Sequence, residues 1–249
     1  MTTEFIQHQL TDNVLQITLN RAEKKNALTQ AMYSEMAQLV NEAQNNDQVA
    51  CIFLTGHTDC FCAGNDIQDF IQAPSLLEDN PILHFLHALA HNEKPFVVAA
   101  NGPCVGIGAT VLLHCDLVYL GENALLKMPF VDLGLCPEAG ASLLLPRMIG
   151  VTRAAELLLL GNSLNAETAK SWGLVNEVAA SDRYQSLALE AAKTLASKPA
   201  NALKISRALI REHLNKGLIE QINKEAKEFS ACLKSPEAMT AFMKFMSKK

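Results

Sequence analysis

Three stretches of this 249-residue sequence have residue types and spacing that could do chemistry. One holds a single carboxylate, Glu138, within Leu135-Cys136-Pro137-Glu138-Ala139-Gly140-Ala141-Ser142. Apolar neighbours on both sides keep water from a carboxyl group, raise its pKa and suit it to proton transfer. A solvated loop glutamate reads the same way in sequence, so both readings stay open. Another stretch is Phe61-Cys62-Ala63-Gly64-Asn65-Asp66-Ile67, whose small residues let the main chain approach a ligand closely. The last is the loop Gly102-Pro103-Cys104-Val105-Gly106-Ile107-Gly108, which leads into an apolar stretch of helical character. Free N–H groups at a helix start favour negative charge. Two such groups converging on one oxygen form an oxyanion hole. Plain strand-to-helix turns would carry the same small residues.

Several other chemistries fail on spacing. The glycines at 102, 106 and 108 read G-x-x-x-G-x-G, and the dinucleotide fingerprint starting at Gly106 would need glycine where Val111 stands. No glycine precedes the Lys-Ser/Thr pair of a phosphate-binding loop, and no G-x-S-x-G elbow occurs. Cys60 and Cys62 are too close for a zinc pair, and no second C-x-x-C follows. His84, His87 and His91 would share one helix face, but no carboxylate completes a ligand triad there. These spacings argue against a zinc site, a dinucleotide fingerprint and a phosphate-binding loop.

The elements that must position these residues alternate between strand and helix. Val14–Leu19 alternates as a strand, and Asn20 to Asn26 is a charged loop. Leu28–Ala43 has helical spacing with Thr29 as its N-cap. Val49–Leu54, closed by Gly56, and Phe96–Ala100, stopped by Asn101-Gly102-Pro103, read as buried strands. Ile107–His114 reads as helix and Asp116–Leu120 as strand. Ala154–Leu160 is a helix ended by Gly161, and Asn165 caps a helix over Ala166–Trp172 that Gly173 terminates. From Leu187 onward the pattern is amphipathic helix, interrupted near Pro199 and Pro236. The expected class is α/β, with a core over residues 1–197 and a helical region over 198–249.

Composition agrees with a folded globular chain: 49% hydrophobic and 19% charged residues, with no apolar run long enough to span a membrane. The net charge of -5 argues against a nucleic-acid partner. It is uneven, since residues 201–249 hold ten Lys+Arg against five Asp+Glu, leaving an acidic body and a basic tail. Seven cysteines, an odd number, predict free thiols in a reducing compartment. With no signal peptide after Met1 and no sorting signal in Met246-Ser247-Lys248-Lys249, the expectation is a cytoplasmic protein.

At these residues the sequence resembles the crotonase superfamily, the enoyl-CoA hydratase/isomerase family. The resemblance runs through Arg21-Ala22-Glu23-Lys24-Lys25-Asn26-Ala27, the 61–67 stretch, Lys94-Pro95, Asn101-Gly102-Pro103 with Gly106, Gly161 to Val175, and Ala241-Phe242. Together these motifs are specific, although each alone is weak. The resemblance implies a crotonase-like spiral of β-β-α units with a C-terminal helical trimerisation region. It implies an acyl-CoA thioester as substrate, no metal or redox cofactor, and a homotrimer or hexamer, with no nucleic acid or membrane partner. The N–H groups of Asn65 and Ile107 resemble the family's oxyanion hole. Lys24, Lys25, Ala27, Ala63, Gly64, Asn65, Asp66, Ile67, Gly106 and Phe130 fall in stretches similar to those that hold CoA. Phe242 and Lys244 resemble residues that reach the CoA of a neighbouring subunit, which suits the basic tail.

Family hydratases need two glutamates for their water, and here those positions are Thr110 and Phe130. Glu138 stands where family isomerases place one carboxylate. The wording Pro129-Phe130, Leu133-Gly134, Pro137-Glu138, Ser142 and Pro146 is similar to the peroxisomal-type Δ3,Δ2-enoyl-CoA isomerases. Ala139 departs from that pattern, which often has glycine there. Met128, Phe130 and Cys136 would keep the site dry, and Asp66 would cap a following helix. The alternatives are hydration, isomerisation of an aromatic-derived CoA thioester, or a non-catalytic oligomer that binds CoA or RNA.

Overall fold

The computed structural model describes residues 4–56, 59–72 and 79–246. Its chain starts with a hairpin in which β1 (Ile6–Thr11) pairs antiparallel with β2 (Val14–Leu19), Ile6 opposite Leu19 and Thr11 opposite Val14. The turn residues Asp12 and Asn13 have φ of 52° and 61°, the left-handed pair that a two-residue hairpin turn needs. The other strands are β3 (Cys51–Gly56), β4 (Phe96–Ala100), β5 (Pro103–Val105), β6 (Leu117–Gly121), β7 (Leu125–Lys127), β8 (Leu164–Asn165) and β9 (Glu177–Ala179). The larger sheet has the order β1-β2-β3-β4-β6-β9 and is parallel from β2 onward. The smaller sheet is β5-β7-β8.

The helices are α1 (Gln30–Gln44), α2 (Ile67–Gln72), α3 (Pro81–His91), α4 (Ile107–Thr110), α5 (Ala141–Ile149), α6 (Val151–Leu159), α7 (Ala166–Ser171), α8 (Tyr184–Ala196), α9 (Ala200–Asn215), α10 (Leu218–Leu233) and α11 (Pro236–Met246). Thr29 caps α1 by accepting from Met32 N–H, and Asn165 caps α7 by accepting from Thr168 N–H. Every residue of β3 and β4 is buried, as expected of parallel strands covered on both faces. On one face, the α8 stripe Tyr184, Ala188 and Ala192 packs on Val14, Cys51, Phe53, Val97 and Ala99. The main core, with Met32, Tyr33 and Met36 of α1 and Leu86 of α3, holds the other set of strand side chains.

Two expectations change in detail. The helix expected over Ile107–His114 is α-helical only to Thr110 and then winds as a tighter 3-10 turn over Val111–His114. The C-terminal helices start earlier, at Tyr184, and break a third time at Lys216-Gly217, where the chain takes a positive φ that stops α9 before α10 begins. That break lets α10 return to the core, burying Leu218, Ile222, Ala226, Phe229 and Leu233. By contrast α9 leaves Ile205, Leu209 and Ile210 exposed. It is tied to the start of β6 by Arg207 and Arg211, at 2.6 and 3.0 Å from the Asp116 carboxylate.

Candidate active site

The site begins as a backbone ribbon. After β3 the chain returns at Phe61 and runs beside the Asn101–Val105 segment. Phe61 N–H donates to Asn101 O (2.9 Å), Cys62 N–H to Pro103 O (3.2 Å) and Val105 N–H to Cys62 O (2.9 Å). On its other edge, Ala63 N–H donates to Lys25 O, Leu28 N–H to Gly64 O and Asp66 N–H to Leu28 O. The 62–66 segment is thus held between the 25–28 loop and the entry to α4. Gly108 shows how close the approach is: a Cβ there would lie 2.6 Å from Cys62 O. Gly106 precedes α4 at φ 55°, a conformation that glycine adopts at no steric cost. Among the described residues, neither Asn65 N–H nor Ile107 N–H is given to a backbone acceptor. Asn65 lies on one strand of the ribbon and Ile107 at the end of the other, where α4 begins.

Side chains lock this ribbon in place. Tyr33, buried in α1, donates its hydroxyl to Asn65 Oδ1 at 2.5 Å. Asn26 donates through Nδ2 to Cys60 O and Phe61 O. Arg21 bridges Ala27 O and the Asp66 carboxylate, both at 2.8 Å. Asp66 in turn accepts from Gln68 and Asp69 N–H and so caps α2, as expected. Partial burial works to raise its pKa, but the Arg21 guanidinium and the helix N–H groups hold it below the usual carboxylate value. Lys24 and Lys25 are exposed on this same loop, while Ala27, Ala63 and Ile67 are half-buried and Gly64 is buried.

Glu138 is 4% exposed. Thr110 donates its hydroxyl to Glu138 Oε1 at 2.6 Å. Thr110 lies three residues after Ile107, one turn along α4, so the carboxyl sits beside the ribbon. Burial pushes the Glu138 pKa up to about 8, the Thr110 hydroxyl works against that rise, and the nearby Glu225 carboxylate adds to it. Tyr33 and Cys62 both feel the Glu138 charge, which brings the ribbon and the acid into one site. Met128 and Phe130 are buried, with the Phe130 ring edge-on to Phe229 at 6.5 Å. Cys136 is only half-buried. Ala139, where glycine was the expected pattern, takes a φ of 60°.

The structure gathers Asn65, Ile107, Gly106 and Glu138 in one place. Phe242 is buried in the main core on α11, and Lys244 is exposed further along that helix. Of the three histidines, His84 and His91 are exposed, and His87 Nε2 is bonded to Asn223 Oδ1 at 2.7 Å. Sequence reasoning missed Tyr33, Arg21 and Glu225 as supporting residues. Arg21 stood in a quoted motif, but nothing near Tyr33 or Glu225 in sequence points to the residues they bond.

A family model described as enoyl-CoA hydratase/isomerase matches residues 9–249. Enoyl-CoA delta isomerase 2 of Rattus norvegicus is 35% identical over 242 residues, 95% of this chain. The chain spans 62% of that relative's length. The 1,2-epoxyphenylacetyl-CoA isomerase of Escherichia coli K12 is 35% identical over 85% of this chain and 82% of its own. The structure of OdaA from Pseudomonas aeruginosa superposes with a TM-score of 0.94 at 44% identity, covering 98% of this chain and 99% of that one. With a matched family model over nearly its whole length, this chain belongs to the enoyl-CoA hydratase/isomerase family, the crotonase superfamily.

Proposed function

We propose that the protein is an enoyl-CoA isomerase that moves a double bond from position 3 to position 2 of an unsaturated acyl-CoA. The observation that carries this reading is Glu138: a buried carboxyl with its pKa raised to about 8, hydrogen-bonded one helical turn from Ile107. The thioester oxygen accepts from Asn65 and Ile107 N–H. This stabilises the dienolate and lowers the cost of removing a weakly acidic C–H proton. Glu138 takes the proton from C2 and returns it to C4. One group that gives back what it takes needs no activated water, which suits Thr110 and Phe130 at the positions where hydratases resemble each other in carrying glutamate. A carboxyl poised near neutral pH is available in both protonation states, as a proton shuttle requires.

In the same reading Lys24, Lys25, Ala27, Ala63 to Ile67, Gly106 and Phe130 hold CoA, with Phe242 and Lys244 serving a neighbouring subunit. The exposed Ile205, Leu209 and Ile210 of α9, at 52%, 67% and 79%, support assembly into a trimer or a pair of trimers. Seven cysteines outside any disulfide fit a reducing compartment such as the cytoplasm. No helix among the described residues is long and apolar enough to cross a membrane.

The test is turnover of trans-3-hexenoyl-CoA beside crotonyl-CoA, with Glu138→Gln as the paired variant. Conversion of the 3-enoyl to the 2-enoyl thioester, reduced at least about 1,000-fold in the variant, is the expected result. Wild-type-like turnover in Glu138→Gln ends the reading. The Escherichia coli relative favours a second reading, isomerisation of a ring-derived CoA thioester by the same base. Turnover of 1,2-epoxyphenylacetyl-CoA with no turnover of the hexenoyl substrate would select it.

A further inference from the structure

Two groups outside the proton-transfer step grip one peptide unit next to Glu138. The unit is Ala139–Gly140. Its carbonyl, Ala139 O, lies 2.8 Å from His114 Nε2. Its N–H, on Gly140, donates to Glu225 Oε2 at 2.6 Å. The same Glu225 carboxylate accepts from Ser142 N–H at 3.0 Å and from the Ser142 hydroxyl at 2.5 Å, while Gln221 Nε2 donates to Ser142 Oγ at 2.8 Å. Both gripping residues are buried and come from far along the chain: His114 from the 3-10 turn after α4, Glu225 from α10.

The grip has work to do. Ala139 and Gly140 take consecutive positive φ values of 60° and 73°. For alanine that conformation is disfavoured and persists only where the surroundings over-determine it. Gly140 offers no side chain to cap α5, so a carboxylate from another helix caps it instead. Burial holds the His114 pKa down to about 4, so the ring is neutral and must carry its proton on Nε2 to donate to a carbonyl. Burial also raises Glu225, against the lowering effect of its Ser142 and Gly140 bonds. Among the described residues, no lysine or arginine is bonded to it.

We propose that Glu225 and His114 are positioning residues that fix the Ala139–Gly140 peptide and thereby aim the Glu138 carboxyl at the reacting carbon. The inference rests on Glu138 being the proton shuttle. The groups that face the Glu138 carboxyl are Thr110 of α4, Tyr33 of α1, Cys62 of the ribbon and Glu225 of α10. Of these Glu225 is the one further carboxylate, and its charge adds to the rise that burial gives the Glu138 pKa.

The experiment measures kcat, KM and the pH profile of kcat on trans-3-hexenoyl-CoA for wild type, Glu225→Ala, Glu225→Gln, His114→Ala, Glu138→Gln and the double variant Glu138→Gln/Glu225→Ala. Displacement of a catalytic group by about 1 Å costs roughly 100-fold, so Glu225→Ala is expected to lose about 100-fold in kcat with KM nearly unchanged. Glu225→Gln keeps an acceptor but loses the charge. It should recover much of the rate and move the acid limb of the profile to lower pH. In the Glu138→Gln background, Glu225→Ala should cost nothing further, because the residue acts through Glu138. A Glu225→Gln variant with wild-type kcat and an unmoved profile overturns the inference, and this holds even if Glu225→Ala fails to fold. A loss of kcat that disappears once rates are normalised to folded protein overturns it as well. Should Glu138→Gln itself retain activity, the shuttle reading fails first, and the double variant shows that separately.

Discussion

The two halves of the site are built in opposite ways. The ribbon of residues 62–66 and 103–108 offers backbone N–H groups, and its side chains matter mainly by being small enough to let two strands approach. The Glu138 loop offers one side chain, and everything that orients it comes from elsewhere: Thr110, His114 and Glu225. The ribbon is held by backbone bonds on both edges and buries no carboxyl. The loop carries a buried carboxyl, a second buried carboxylate beside it, and an alanine at positive φ. Stabilising a transition state from the backbone is compatible with a stable fold, whereas tuning a carboxyl by burial sets function against stability.

The strongest way to break this contrast is to measure stability against pH in Glu138→Gln. Glu138 has its folded pKa raised from 4.5 to about 8. Below the unfolded value both states hold the proton and its contribution is complete. As pH rises toward about 8 the unfolded chain releases the proton and the folded chain keeps it, so stability falls; beyond that both states are ionised and the loss stops. The glutamine variant lacks this decline. Its stability advantage over wild type should grow across that window to several kcal/mol, read from chemical denaturation at pH 4, 6 and 8. Parallel curves for the two proteins would remove the cost assigned to the loop.

Next in size is Gly108→Ala, which probes the ribbon. Its added Cβ meets backbone, 2.6 Å from Cys62 O, so one strand must move. Turnover should fall about 100-fold while the pH profile of what remains stays put, because the donors shift and Glu138 does not. A changed profile with normal turnover at high pH would show that the two halves are not separable.

The smallest effect expected is that of Thr110→Val, an isosteric change at the seam between them. The hydroxyl lowers the Glu138 pKa, so its loss should raise that pKa further and move the acid limb of kcat upward. The rate at neutral pH should drop by about tenfold, in line with a hydrogen bond to a charged group, and recover as pH rises. This is the reverse of the shift expected on removing the Glu225 charge, and the two together bracket the tuning of one carboxyl.

Much of the fold was legible before the structure. β2, β3, β4 and β6 announce themselves by runs of apolar residues, and α1 and α7 by Thr29 and Asn165 at their starts, because period and capping are local properties. β1 was not legible, since five of its six residues are exposed and only pairing with β2 makes it a strand. β5, β7 and β8 are too short to show a period. The break at Gly217 hid within a continuous amphipathic pattern on either side.

For the site, residue types marked the 61–67 and 102–108 stretches as backbone that a ligand could approach and Glu138 as a carboxyl among apolar neighbours, with plain turns and a solvated loop still open, and the family resemblance singled out Asn65, Ile107 and Gly106. Both signals are short-range, so they survive in the linear chain. Only the tertiary structure could decide that Thr110, Tyr33, His114 and Glu225 surround these groups, because each reaches its partner across 25 to 85 residues of sequence. Packing of α1 and α10 on α3, and of α10 on α5, helps bring them together, and burial, through exclusion of water, turns an ordinary glutamate into one with a pKa near 8.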